Sequence, residues 1–154
     1  MHHTQTDEVL AGALLELIGF LNSPRQDEVL LGEAGVALDR ALFPLLVRIG
    51  VLGPLGVVEL ADQAGRDHST VSRQLAKLEA LGLVARAVRG QDRRVRSAGI
   101  TPTGERVVQA IAEARRRLLG QALADWRDED RRDLSRLLRR FVDALKMART
   151  PPPG

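Results

Sequence analysis

Residues 60–104 read LADQAGRDHSTVSRQLAKLEALGLVARAVRGQDRRVRSAGITPTG, and the changes of period along this stretch decide the fold. Its first residues end a helix-sized segment, Gly56 to Ala64, which stops at Gly65 because glycine enters the left-handed backbone region without a Cβ penalty. Asp67 or Ser69 can then cap a second helix by accepting from a free backbone N–H. That helix runs to about Leu81. Val71, Leu75, Leu78 and Leu81 follow one another at steps of four, three and three, so they share an inward face. Ser69, Thr70, Arg73, Gln74 and Lys77 are left on the other side. Gly82 ends the helix, and Leu83 to Val88 reads as a strand before a turn at Arg89-Gly90-Gln91-Asp92. Arg93 to Ile100 is the returning strand; its few apolar residues predict a two-stranded hairpin that projects into solvent. Thr101 caps the next helix, with Pro102 at the first helical position, where its missing N–H costs nothing.

Outward from this centre, Leu10, Leu14, Leu17, Ile18 and Leu21 mark an amphipathic helix over Asp7 to Leu21, closed by Asn22-Ser23-Pro24. A further helix is expected over Leu38 to Ile49, with Pro44 in its first turns or bending it. The helix that opens at Pro102 continues to about Ala124. Asp128 to Lys146 then places Leu134, Leu137, Leu138, Phe141, Val142 and Leu145 on one apolar stripe. Residues 149–154, rich in proline, form a tail.

Charge is localised. Between Arg66 and Thr101 stand eight basic and three acidic residues, a net +5, while the remainder carries 15 basic and 17 acidic residues. A basic patch on a weakly acidic body is the electrostatic footprint of a nucleic-acid face. Short helix, turn, amphipathic helix and basic hairpin follow in the order that a duplex reader needs, since an α-helix fits the major groove. The candidate reading residues are Ser69, Thr70, Ser72, Arg73, Gln74 and Lys77. Arginine can pair with guanine and glutamine with adenine, each bidentate, while Lys77 suits a phosphate. Arg89, Arg93, Arg94 and Arg96 around Gly90 form an arginine-rich tip suited to a minor groove. Asp92 would support that wing by pairing with Arg94 or a neighbouring arginine. The competing readings are ordinary polar residues on a surface helix, a solvated surface with clustered arginines, and a hairpin turn that simply favours aspartate at 92.

These residues resemble the MarR family of transcriptional regulators. The resemblance is carried by Ser69-Thr70-Val71-Ser72-Arg73 through Leu78-Glu79, then Gly82-Leu83-Val84, then Asp92, Arg94, Ile100, Thr101 and Gly104, with isoleucine at 100 where the family has leucine. It implies a mainly α fold with a small β-hairpin and one domain over residues 1–150. Within it, residues 55–101 would be the winged helix-turn-helix lobe, and residues 6–50 and 102–148 the dimerisation helices. It implies a homodimer that reads the half-sites of a pseudo-palindromic double-stranded DNA operator. The absence of cysteine makes the cytoplasm the default compartment. Repression is the expected outcome, because nothing in the sequence resembles a surface for recruiting polymerase. Many family members respond to small phenolic or lipophilic ligands between the dimer helices and the lobe, so the resemblance leaves room for a small-molecule effector. Phe20, Phe43 and Trp126 are candidates to line such a pocket, although so few aromatics serve more readily as core. The apolar faces of the first and last helices independently suggest a symmetry mate. Their covering one another within a monomer is the alternative.

Other classes find less support. The chain has no cysteine, which excludes disulfides, thiolate metal sites and thiol-based peroxide sensing. Its longest apolar stretch, Ala41 to Leu60, is interrupted by Pro44, Arg48, Gly50, Gly53 and Pro54, so no transmembrane helix is expected. His2, His3 and His68 have no metal-ligand spacing, no phosphate-cradling glycine loop occurs, and Ser69 and Ser72 lack a neighbouring base. No enzyme, metal or cofactor is therefore expected. The remaining rival is a helical protein-interaction module of the same fold that does not bind DNA.

Overall fold

The computed structural model describes residues 2–88 and 96–148. Two compact units divide the chain, Met1–Arg115 and Arg116–Gly154. The first begins with α1 (His2–Leu21), α2 (Pro24–Ala34) and α3 (Phe43–Leu52). It continues through β1 (Leu55–Gly56), α4 (Val57–Ala64), α5 (His68–Ala80), β2 (Val84–Val88) and β3 (Arg96–Ile100). It closes with α6 (Pro102–Ala122) as far as Arg115, and α7 (Asp128–Ala148) belongs to the second unit.

The centre of the first unit is apolar and almost dry. Leu45, Leu46 and Ile49 of α3 meet Leu60 of α4, Val71, Leu75 and Leu78 of α5 and Val84 of β2, each at most 2% exposed. Each such side chain contributes about 1.5–3 kcal/mol on burial. The inward face expected for α5 is this one, except that Leu81 is exposed at the helix end. Leu31, Phe43 and Ile111 form a smaller cluster that packs α2, α3 and α6 together.

Local chemistry sets the boundaries. Gly65 ends α4 at φ 65°, in the left-handed region, and Asp67 caps α5 by accepting from the Thr70 N–H. The helix expected from Leu38 begins instead at Phe43. Asp39 holds the preceding residues in a turn: its side chain accepts from Ala41 N at 2.8 Å and its carbonyl from Leu42 N at 2.9 Å. Pro44 then falls in the first turn of α3 and does not bend it. Helix α2 was not foreseen. Only Leu31 of its residues is buried, so its apolar period is faint, and what defines it is Pro24 at its start and Gly35 at its end, φ 66°.

The hairpin also differs from expectation. A third strand, β1, pairs antiparallel with β3 through Leu55 with Ala98 and Gly56 with Ser97, giving the order β1-β3-β2. Ser97 and Ala98 are buried, so the base of the hairpin belongs to the core.

Beyond β3, the chain enters α6 through a junction that explains two features of the sequence, Thr101 and Gly104. Thr101 N donates to the Leu83 carbonyl at 3.1 Å and Thr101 Oγ1 donates to the Gly82 carbonyl at 2.6 Å. The same hydroxyl oxygen accepts from Gly104 N at 3.0 Å, capping α6. A Cβ at Gly104 would overlap the Leu83 carbonyl oxygen and press on Ile100 Cγ1. Gly104→Ala is therefore expected to cost about 1–3 kcal/mol by overpacking, and Thr101→Val about 1 kcal/mol by loss of the cap. Urea denaturation of both variants measures this, and wild-type stability in Gly104→Ala contradicts the junction as described.

Candidate nucleic-acid interface

Helix α5 divides its side chains between two environments. Val71, Leu75 and Leu78 are buried; His68, Ser69, Arg73 and Lys77 are exposed, and Thr70, Ser72 and Gln74 are half-buried. Five of the six residues expected to read DNA lie along one side by helical spacing, and the sixth, Ser72, lies off that side, its backbone carbonyl accepting from Arg86 Nη2 at 3.2 Å.

Asp67 organises the start of this helix. Its Oδ1 accepts from Ser69 Oγ at 2.7 Å and from Thr70 N at 2.7 Å, and its Oδ2 accepts from Thr70 Oγ1 at 2.9 Å. These bonds, from the Ser69 hydroxyl first and then the Thr70 N–H and hydroxyl, hold the Asp67 carboxyl down from 3.8 to about 2, with a smaller contribution from the charge of Arg73. Arg73 Nη2 also donates to Thr70 Oγ1 at 3.4 Å. The carboxylate and two hydroxyls act as one hydrogen-bonded group.

Two arginines counted in the basic segment have interior work. Arg66, in the turn before α5, donates through Nη1 to the Ala41 carbonyl at 2.7 Å and to Gln74 Oε1 at 2.8 Å. Arg86 of β2 lies with Nε 3.3 Å from Glu79 Oε2, an ion pair with poor hydrogen-bond angles, and donates through Nη2 to the Ser72 carbonyl. It fastens the sheet to α5. The sequence pattern carried no signal for either role, since the partners lie 7 to 25 residues away on other elements.

Arg89, Asp92, Arg93 and Arg94 lie outside the described residues. Arg96 opens β3, its backbone paired with Val88.

A cavity of about 780 Å³ opens in the first unit, lined among others by Phe43, Val47, Arg40, Arg48, Arg66, Arg115 and Asp27. Its lining residues include four arginines and one aspartate, and two of those arginines are engaged by the protein itself, Arg48 with the Pro44 carbonyl and Arg66 with Ala41 and Gln74. Of the three aromatics considered for a pocket, only Phe43 lines this one. Phe20 is 55% exposed on α1, and Trp126 borders a separate depression of the second unit with Asp125, Asp130, Asp133 and Leu134. Neither serves as core within the chain. Among the described residues, no group of histidine and acidic side chains is arranged to hold a metal ion, and no helix is long and apolar enough to cross a membrane.

A helix pair that presents one polar face beside a three-stranded sheet defines a winged helix-turn-helix DNA-binding fold. The MarR family profile matches residues 38–95. An uncharacterized HTH-type transcriptional regulator, YxaD, of Bacillus subtilis (strain 168) is 35% identical over 108 residues, which cover 70% of this chain and 76% of that protein. A MarR family protein from Bacillus stearothermophilus has the same fold, with a TM-score of 0.79, 24% identity and coverage of 93% and 97% of the two chains. The transcriptional regulator BldR from Sulfolobus solfataricus superimposes with a TM-score of 0.60 at 28% identity, covering 88% of this chain and 97% of that one. The protein belongs to the MarR family of transcriptional regulators. Members of that family are regulators rather than enzymes.

Because the folded state holds the Asp67 carboxyl below its ordinary value, the stabilisation is fully present above pH 3.8 and is lost as pH falls through about 2. Thermal melting of wild type and Asp67→Ala, followed by circular dichroism, should therefore differ above pH 3.8 and converge toward pH 2. A constant gap across that window would show that the capping bonds do not act through the ionised carboxylate.

Proposed function

We propose that the protein is a repressor that binds a pseudo-palindromic operator as a homodimer, each lobe placing α5 in a major groove and its wing in the neighbouring minor groove. The observation that carries this reading is the division of α5: a dry apolar face fixes the helix while Ser69, Thr70, Arg73, Gln74 and Lys77 stand on the other side. Residues 55–101 act as the DNA-binding lobe, with Arg89, Arg93, Arg94 and Arg96 as the wing contacts and Asp92 as their support. Repression follows from occupancy of the operator, and the protein works in the cytoplasm.

The dimer is supported by apolar surface. Helix α1 exposes Val9, Leu10, Leu15, Leu17, Ile18, Phe20 and Leu21, and no residue of α7 is buried although Leu134, Leu137, Leu138 and Leu145 recur along it. Residues 6–50 and 102–148 supply the helices that a second copy covers, and 149–154 is the tail. The arginine-lined cavity is the place for an effector, and a small acidic aromatic or lipophilic molecule fits its chemistry. Its binding would release the operator.

Selection of genomic fragments at controlled salt, followed by a mobility-shift assay, tests the reading. A palindromic consensus is expected, with about a tenfold or greater loss of affinity in Arg73→Ala through a lost base contact. Lys77→Ala should weaken all duplexes alike and reduce the salt slope by about one. Arg94→Ala reports on the wing. A protein that retains no duplex, or unchanged binding in both arginine variants, removes the groove assignment and favours an interaction module. Sedimentation equilibrium should give twice the chain mass. Leu138→Glu, placed on the exposed stripe of α7, should shift it to the monomer while leaving the lobe folded; an unshifted mass sinks the proposed interface.

A further inference from the structure

The two residues of the turn before α5 determine which hydrogen-bonding groups that helix has left to offer. At neutral pH the Asp67 carboxylate has no proton, so it can only accept. The contacts at 2.7 Å from Ser69 Oγ and 2.9 Å from Thr70 Oγ1 therefore take the single proton of each hydroxyl. What remains on Ser69 and Thr70 is lone pairs. Both hydroxyls are then unable to serve a phosphate oxygen, which also only accepts.

Gln74 is constrained in the opposite sense. Arg66 has no acceptor atom, so the group it contacts at 2.8 Å must be the Gln74 carbonyl oxygen. The amide orientation is fixed by chemistry, and the nitrogen with its two protons is left for other partners. Bidentate pairing with adenine needs both ends of the amide directed at one base edge. An oxygen engaged by Arg66, itself anchored to the Ala41 carbonyl, does not meet that requirement. Arg73 offers donors alone.

Resting on the proposed DNA-binding role, we infer that Arg66 and Asp67 are positioning residues that set the hydrogen-bond polarity of the reading face: acceptors at Ser69 and Thr70, donors at Arg73 and Gln74. In the major groove, donors are carried only by the amino groups of adenine and cytosine, whereas guanine, thymine and the N7 atom of adenine present acceptors. Ser69 and Thr70 accordingly select adenine or cytosine. Gln74 takes guanine, thymine or a single bond to adenine N7, without the preference for adenine that a glutamine usually has.

Selection from a randomised duplex pool at fixed salt, repeated for a set of variants, tests this. Ser69→Ala and Thr70→Ala, substitutions at the polar side of the helix, identify the base positions served by the two hydroxyls as those whose preference they relax. Wild type is expected to hold adenine or cytosine there. Asp67→Asn keeps a helix cap but carries donors of its own and returns a hydroxyl proton. At those positions it should lower the preference for adenine or cytosine over guanine or thymine by about fivefold or more, the effect of one mismatched pair. At the position mapped by Gln74→Ala, Arg66→Met should raise adenine by a similar factor, and the change should vanish when Gln74→Ala is also present. Guanine or thymine at the hydroxyl positions in wild type overturns the inference even if no other variant folds. So does an Asp67→Asn preference identical to wild type, or an Arg66→Met effect that persists without Gln74. A wild-type protein that enriches no sequence overturns the DNA-binding role itself, and this inference with it.

Discussion

Helix α5 has to satisfy two environments with 13 residues, and the arrangement of the lobe follows from that constraint. Its apolar side is fixed by Val71, Leu75 and Leu78, which meet Leu45, Leu46 and Ile49 of α3 and Leu60 of α4 in a core with almost no solvent contact. A loss of one such leucine to alanine leaves a cavity costing about 2–5 kcal/mol, which is a large part of a domain's marginal stability. The opposite side is then free to carry hydroxyls, an amide and cations, some of which also cap the helix or anchor Arg66. Position and chemistry are separated on the two halves of one helix.

That separation explains which parts of the molecule were legible in the sequence. The spacing of Val71, Leu75 and Leu78 is a covalent fact that helix geometry converts directly into a face. Gly65, Asp67, Thr101 and Pro102 mark helix ends because their backbone or side-chain chemistry leaves few other places for them. Gly104 was legible only as part of a family pattern; its reason, the close approach of the Leu83 carbonyl, requires two segments distant in sequence to be brought together. Helix α2 and strand β1 were missed for a related cause. The first buries Leu31 alone, and the second is two residues long and exists only because β3 is there to pair with it.

Charge was read less well than shape. Summing cations between Arg66 and Thr101 treats each as available to DNA, but a guanidinium with five donors is equally suited to carbonyls and carboxylates inside the protein. Arg66 spends Nη1 on Ala41 and Gln74, and Arg86 meets Glu79 and the Ser72 carbonyl. Both are half-buried, where a charge needs such partners to offset its lost hydration. The net +5 therefore overstates the cationic surface of the lobe, while the exposed Arg73 and Lys77 keep the sign on the polar side of α5.

The outer helices raise the converse problem, apolar side chains left exposed. Helix α7 is 21 residues long, begins with Asp128, Glu129 and Asp130 and ends near Lys146, which complements its dipole at both ends. Its i, i+3 and i, i+4 ion pairs, Arg127 with Asp130, Arg136 with Asp133 and Arg139 with Asp143, are exposed and contribute about 0.3–0.5 kcal/mol each. Such increments favour the helical state but do not require a row of leucines. Leu134, Leu137, Leu138 and Leu145 remain 39–50% exposed, and each would gain about 25 cal/mol for every Å² removed from water. A stripe of that kind on an otherwise charged helix is the pattern expected of a surface that is completed by association.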